Sequence, residues 1–332
     1  MSTSRCTTRV VAVCGGVGGA KLALGLYRVL APDTLTVVGN TGDDFEHLGL
    51  HISPDLDTVL YTLSGLADRE RGWGRSDESW DFMEALAELG GEDWFRLGDR
   101  DLALHVLRTQ RLRESTALSA FTAGIARRLG IHARILPMSD DPVRTIVDTS
   151  EGLLPFQRYF VQRRCEPTVR RILFDGAATA RGQADAVAAL RSHATDAIVI
   201  CPSNPYLSVD PILAVPTIRA ALKAASAPII AVSPIIGGQA VKGPTAKIMA
   251  ELGVEATSAT IAAHYAGLID GLVIDPSDGA EAATIKLPIE LAPTLMRDLD
   301  DRKTLARRVL DFAARLASER APGYRAVHRE AR

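Results

Sequence analysis

"VVAVCGGVGGAKLALGL", residues Val10 to Leu26, runs from an uncharged apolar stretch through four glycines into an apolar-periodic one. That order reads as strand, tight turn, helix. Two nucleotide-binding patterns begin this way, and neither fits in full. The dinucleotide fingerprint, Gly-x-Gly-x-x-Gly, is met at Gly16 and Gly18 but has Lys21 where the third glycine belongs. A Walker loop requires Ser or Thr after its Gly-Lys pair, whereas Lys21 follows Ala20 and precedes Leu22. The physics common to both patterns remains. Glycine lets the backbone approach a phosphate, and the first N–H groups of a helix point at it. Gly15, Gly16, Gly18 and Gly19, with Lys21, therefore read as a phosphate cradle rather than a turn that only packs strand on helix.

Working outward, the runs Val10–Cys14, Leu35–Gly39, Ala133–Pro137, Ala197–Cys201, Pro228–Val232 and Gly271–Ile274 read as buried strands. Helical patterns fall between them, at Ala20–Leu30, Gln183–Arg191 and Pro216–Ala225. This alternation predicts an α/β fold with a doubly wound, mostly parallel, Rossmann-like sheet. Residues from about 55 to 130 hold helical patterns and no convincing strand, and read as a helical insertion. Thr145 to Phe174 is strand-like and irregular, which predicts a small added β region. The expected organisation is one α/β domain over residues 1–322 and a polar tail at 323–332.

Composition narrows the class. At 47% hydrophobic and 23% charged, the 332-residue chain is that of an ordinary globular protein. A net charge of -2 gives no general attraction to nucleic acid. No signal peptide or membrane-length apolar run is present, and the four cysteines are scattered without zinc-type spacing. A cytoplasmic enzyme is expected, with Cys14 and Cys201 as buried thiols.

In open α/β sheets, ligands sit beyond the carboxyl ends of the strands. After the second strand comes "NTGDDFEHLGLHISPDLDT", residues 40–58, with Asp43, Asp44, Asp55 and Asp57. Crowded carboxylates repel unless a cation or proton intervenes. Asp43 and Asp57 are read as Mg²⁺ ligands and catalytic groups, Asp55 as a helix-start residue, and His47 and His51 as packed or solvated. After the third strand, Ser139 and Asp140 are candidates to face a ligand, and Asp141 reads as structural. "PSNP" supplies Ser203 and Asn204 to a nucleotide. "IIGGQAVKGPTAK" supplies Gly237, Gly238 and Lys242 as a second phosphate cradle, with Lys247 equally a surface lysine. Trp73, Trp94 and Phe95 in the insertion suit either helix packing or covering a flat ring. Arg96, beside Asp99 and Arg100, either pairs locally or reaches substrate. No Gly-x-Ser-x-Gly elbow, HExxH or Cys/His nucleophile arrangement appears. What remains fits transfer of a phosphorylated group from a nucleotide-activated donor.

"GGVGGAK", "GNTGDD", "SPDLDTVLYTLSG", "RGWG", "RLGDRDLALHVLRT", "LPMSDDPVRT", "PSNPYLSV" and "SPIIGGQAVKGP" occur in order between about Val10 and Asp275. Together they resemble the 2-phospho-L-lactate transferases of deazaflavin coenzyme F-420 biosynthesis. The resemblance implies a GDP-activated phospho-acid donor, carrying a 2-phospho-L-lactate, phosphoenolpyruvate or 3-phosphoglycerate unit. It implies attack by the ribityl 5′-hydroxyl of 7,8-didemethyl-8-hydroxy-5-deazariboflavin, release of GMP, a Mg²⁺ requirement and a homodimer. It assigns the deazaflavin to Asp57 and Arg96, and help with the metal to Asp43. A related family of sugar-nucleotide-binding metabolic regulators, which are not enzymes, is the alternative. "RGWG" and "RLGDRD" match the transferases better. A dehydrogenase is third, weakened by the absent glycine and by Gly39-Asn40 where an acidic residue would end the second strand.

Overall fold

The computed structural model describes residues 7–68, 70–240 and 244–319. Lys242 and the tail at 323–332 lie outside them. Seven strands form one parallel sheet: β1 (Val10–Cys14), β2 (Leu35–Gly39), β3 (Arg134–Pro137), β4 (Ala197–Ile200), β5 (Ile229–Val232), β6 (Gly271–Ile274) and β7 (Ile289–Leu291). Their spatial order is β7-β6-β5-β4-β1-β2-β3. The winding starts at β1, runs outward to β3, then resumes on the other side of β1 at β4. That reversal opens a crevice at the carboxyl ends of β1 and β4, where such sheets bind ligands.

Burial on both faces explains the apolar strands. Val10, Ala12 and Cys14 enter one core with α1 (Gly16–Val29), α2 (Pro54–Ser64) and the helix Leu299–Glu319. Val11 and Val13 point oppositely, into a second core with the helices Ala184–Arg191, Pro216–Lys223 and Ser258–His264. The alternation is the pleat's period of two.

The doubly wound parallel sheet is as expected from the sequence, and six of its strands lie where the apolar runs are. The edge strand β7 was not anticipated, because three residues carry too little pattern to separate from a loop. The expected helix at Ala20 begins instead at Gly16, so the glycines form the helix's first turn rather than a loop before it. Between residues 54 and 128 lie α2, α3 (Asp81–Glu88), α4 (Asp99–Arg113) and α5 (Leu118–Arg128), with one isolated bridge, Ala67 to Arg75. The irregular β region is a three-stranded antiparallel sheet of Gly152–Pro155, Arg144–Thr149 and Val169–Asp175. The loop after β2 contains a hairpin, Phe45–His47 with Leu50–Ile52, turned by Leu48 and Gly49, both at positive φ. Two positive-φ residues are what a tight two-residue hairpin needs. Among the described residues, no helix is long and apolar enough to cross a membrane.

The helix Leu299–Glu319 crosses α1 closely at Gly25. A Cβ there would sit against the Arg302 carbonyl, which is backbone and cannot swing away. Gly25→Ala is expected to destabilise the protein by about 1–3 kcal/mol through overpacking. Thermal unfolding of the variant checks this, and unchanged stability would mean the two helices separate easily.

Candidate functional site

The first turn of α1 meets the segment after β4. A Cβ on Gly18 would lie 2.5 Å from the Pro202 carbonyl, and one on Gly19 would lie 2.9 Å from Cys14 Sγ and strike Ser203 Oγ. Both glycines are thus required by close approach. Ser203 Oγ donates to the Gly15 carbonyl (2.7 Å) and accepts from the Gly15 N–H (3.2 Å). Asn204 Oδ1 accepts from the N–H groups of Tyr206 (3.0 Å) and Leu207 (3.1 Å), capping the next helical turn. Gly15, Gly16, Gly18, Lys21, Ser203 and Asn204 all line one cavity of about 780 Å³. Gly19 does not; it faces Cys14 and is a packing glycine. Lys21 Nζ donates to the Met296 carbonyl at 3.0 Å on the cavity wall.

The expected second phosphate cradle is filled by the chain itself. Gly237 and Gly238, at φ of +59° and +70°, form a turn whose N–H groups donate to the Asp278 carboxylate at 3.0 and 2.8 Å. A carboxylate already occupies that anion nest, and neither glycine lines the cavity. Lys247 Nζ is held by Glu251 (2.5 Å) and the Pro167 carbonyl (3.1 Å). Ser139 and Asp140 also prove structural. Ser139 Oγ donates to the Arg181 carbonyl, and the Asp140 carboxylate accepts from Ser119 N–H and Oγ. Asp141, paired with Arg181, is structural as expected.

The acidic loop after β2 is buried at the crevice. Asn40, fully buried, is its strut: Oδ1 accepts from Gly42 N–H (2.8 Å), and Nδ2 donates to Asp55 Oδ2 (2.9 Å). Asp44 Oδ2 accepts from Ser53 Oγ (2.8 Å) and lies 3.2 Å from His51 Nε2. Asp43 lines the cavity, and its buried Oδ1 has no hydrogen-bond partner. Burial raises the Asp43 pKa well above the usual carboxylate range, and the Asp55 charge raises it further. Asp55 is pushed up to about 6, chiefly by burial, against hydrogen bonds from Asn40 and the Gly16 backbone. Asp55 thus faces the cavity and joins the acidic loop to the glycine turn. A helix-start position two residues before Asp57 hid that role in the sequence.

Asp57 sits on α2 facing α4. Arg108 Nη1 donates to its Oδ2 at 3.0 Å, and Nη2 makes a second contact to Oδ1. His105 Nδ1 lies 3.3 Å from Arg108 Nη1, and His105 Nε2 lies 3.3 Å from Asp101 Oδ2. Tyr61 Oη donates to Asp101 Oδ1 at 2.5 Å. None of Arg108, His105, Asp101 or Tyr61 was a sequence candidate. Their signal is polar side chains at helical spacing on faces that must be buried.

The insertion supplies an aromatic wall. Trp73, Trp94, Phe95 and Arg96 line the cavity. Arg96 lies over the Trp80 ring (4.6 Å), and Phe95 meets Phe45 edge-on at 4.8 Å. His47 is buried among Phe45, Trp94 and Phe95, so it is packed rather than ligating. Asp99 caps α3, accepting from the Asp81 and Phe82 N–H groups.

A raised carboxyl pKa has a stability signature. The folded Asp55 holds its proton up to about pH 6, whereas its ordinary value is 3.8. The contribution is therefore fully present below about pH 4 and lost as pH rises through about 6. Without divalent cation, wild type should lose melting temperature across that window relative to Asp55→Asn. A pH-independent difference between the two would show that Asp55 is not buried as a shared acid.

The 2-phospho-L-lactate transferase CofD family matches residues 10–311. A Streptomyces griseus protein named phosphoenolpyruvate transferase is 42% identical over 316 residues, covering 92% of this chain and 98% of that one. Its namesake in Streptomyces coelicolor is 41% identical over 315 residues, with the same coverage. A Mycobacterium tuberculosis protein of the same name is 37% identical over 334 residues, covering 93% and 100%. A crystal structure of a UPF0052 family member from Bacillus halodurans superposes with a TM-score of 0.60 at 16% identity, covering 91% of this chain and all of that one. That likeness is one of fold. The chain belongs to the CofD family of phospho-transferases of coenzyme F-420 biosynthesis.

Proposed function

We propose that this protein transfers a phosphoenolpyruvate unit from a GDP-activated donor to the 5′-hydroxyl of 7,8-didemethyl-8-hydroxy-5-deazariboflavin, releasing GMP. The observation that carries this reading is the single cavity in which the α1 glycine turn, the buried carboxylates and the aromatic insertion wall meet. The choice of donor unit rests on the names of the relatives.

Each wall suits one part of the reaction. The turn at Gly15, Gly16 and Gly18, with Lys21, offers the diphosphate helix N–H groups and a cation. Ser203 and Asn204 lie beside it. Trp73, Trp94, Phe95 and Arg96 offer the deazaflavin ring flat apolar faces and a guanidinium.

The buried carboxylates suit a Mg²⁺ ion. Asp43, Asp44, Asp55 and Asp57 crowd together, and the Arg108 guanidinium is hydrogen-bonded to Asp57. The orphaned Oδ1 of Asp43 is a ligand atom in waiting. Asp43 and the outward lone pairs of Asp57 would hold the ion. Among the described residues no group of three or more His, Cys, Asp and Glu forms a metal-holding cluster. The remaining ligands would come from phosphate oxygens and water, as is usual for Mg²⁺. Bound there, the ion would neutralise charge on the transferring phosphate. Asp57 would also orient the attacking hydroxyl. Such transfers depend more on positioning and electrostatics than on a strong base.

Mass-spectrometric assay of the purified protein with the deazaflavin alcohol, Mg²⁺ and each of three GDP-activated donors tests the reading. The phosphoenolpyruvate donor should give product and stoichiometric GMP. Binding of a UDP-sugar with no response to the deazaflavin would sink it. Asp43→Asn should abolish turnover with the melting temperature largely kept, and EDTA should silence wild type until Mg²⁺ is restored. Full activity of a metal-free preparation would remove the ion. Asp57→Ala should lose kcat far more than GDP affinity. Arg96→Ala should raise the deazaflavin KM roughly tenfold, about 1.4 kcal/mol of binding. Collapse of GDP binding in either variant would place these residues at the wrong end of the cavity.

A further inference from the structure

Five polar side chains join α2 to α4. Asp57 and Tyr61 are one turn apart on α2; Asp101, His105 and Arg108 share one face of α4. They connect in series: Asp57 to Arg108, Arg108 to His105, His105 to Asp101, and Asp101 to Tyr61. Arg108 is fully buried, with its planar group 5.6 Å from the Phe121 ring. It does not line the cavity, whereas Asp57 does.

We infer that Arg108 is a positioning residue for transfer, acting through Asp57; this rests on the role proposed for Asp57 above. Arginine only donates hydrogen bonds. Arg108 Nη1 therefore donates a hydrogen bond to His105 Nδ1, which leaves the His105 ring proton on Nε2, 3.3 Å from Asp101 Oδ2. His105 thus meets the guanidinium from the side. Arg108 Nη1 also reaches the His51 carbonyl at 3.4 Å, which ties it to the hairpin of the acidic loop. The fork then holds both Asp57 oxygens, so the carboxylate can neither rotate nor withdraw. Only its outward lone pairs remain for the cavity. Burying an arginine costs heavily, and apolar residues often replace buried ion pairs without loss of stability. A fork aimed at a cavity-lining carboxylate gives this one a use beyond packing. An ammonium cannot reproduce the fork, because lysine presents a single point charge.

A double-mutant cycle separates positioning from packing. Wild type, Arg108→Met, Arg108→Lys, Asp57→Asn and the two double variants are compared by kcat and KM with the GDP-activated phosphoenolpyruvate donor and the deazaflavin alcohol. GDP affinity by calorimetry and the melting temperature are measured alongside. Arg108→Met should lower kcat by about 10–100-fold, the usual effect of removing a group that orients a reactive one. GDP affinity should stay within about twofold of wild type, and Arg108→Lys should recover only part of kcat. In the Asp57→Asn background either Arg108 change should cost less than about threefold more, since the carboxylate to be oriented is gone. Should Arg108→Met fail to fold, Arg108→Lys and Asp57→Asn/Arg108→Lys carry the cycle, because Arg108→Lys leaves Asp57 a cation. Equal losses in both backgrounds, or full kcat in Arg108→Lys, would overturn the inference and leave the role of Asp57 standing. Full kcat in Asp57→Asn would overturn both.

Discussion

The crevice exists because two backbone segments touch where side chains would keep them apart. Gly18 and Gly19 bring the first turn of α1 against Pro202 and Ser203, and Ser203 Oγ bonds both the N–H and the carbonyl of Gly15. This contact joins the carboxyl ends of β1 and β4 at the point where the sheet reverses its winding. It places the N-terminus of α1 on the cavity wall and brings Gly16 within reach of Asp55. Asn40 then ties Asp55 to the loop after β2. The acidic loop, the glycine turn and the segment after β4 are thereby one hydrogen-bonded unit, so a ligand held by one is positioned by all three.

Charge is the second organising constraint. Asp43 and Asp55 are buried where neither can ionise easily beside the other, and each is held above its ordinary range. Asp57 is raised as well, chiefly by burial, although Arg108 opposes the shift. The cluster is thus divided: Asp57 has a guanidinium beside it, and Asp44 has His51 and Ser53. A donor bringing a diphosphate and Mg²⁺ together would satisfy both the carboxylates and the helix N–H groups at once. Neither charge alone satisfies both.

The parts of this molecule legible in the sequence are those governed by local pattern. Val10–Cys14 and Leu35–Gly39 are strands because uncharged five-residue runs between turn residues suit a sheet covered on both faces. The glycines, the acidic loop and Ser203-Asn204 were legible because strand ends in such sheets face the ligand. Illegible were features set by distant partners. Asp278 lies some forty residues from Gly237 and Gly238, so nothing near "IIGG" announces that their N–H groups are taken. Lys247 looked free for the same reason, since Pro167 is eighty residues away. Asp55 looked like a helix start because its partner, Asn40, sits at the end of another strand. Arg108 was invisible because one of three arginines in "LHVLRTQRLR" reads as solvated until α2 is placed against it.

The helical insertion gives the crevice its aromatic side. The fold recurs in the Bacillus halodurans protein of the UPF0052 family. Residues 54–128 add two things to the crevice. One is the aromatic wall of Trp73, Trp94 and Phe95, with Arg96. The other is α4, which anchors that wall and also supplies Arg108 to Asp57. The "RLGDRD" stretch leads directly into α4, so Arg96 on the cavity wall is joined by a short run of chain to the helix that carries Arg108. Displacing the wall by a helical turn would pull the arginine from Asp57 as well. The aromatic wall and the contact of Arg108 with Asp57 are coupled by covalent geometry.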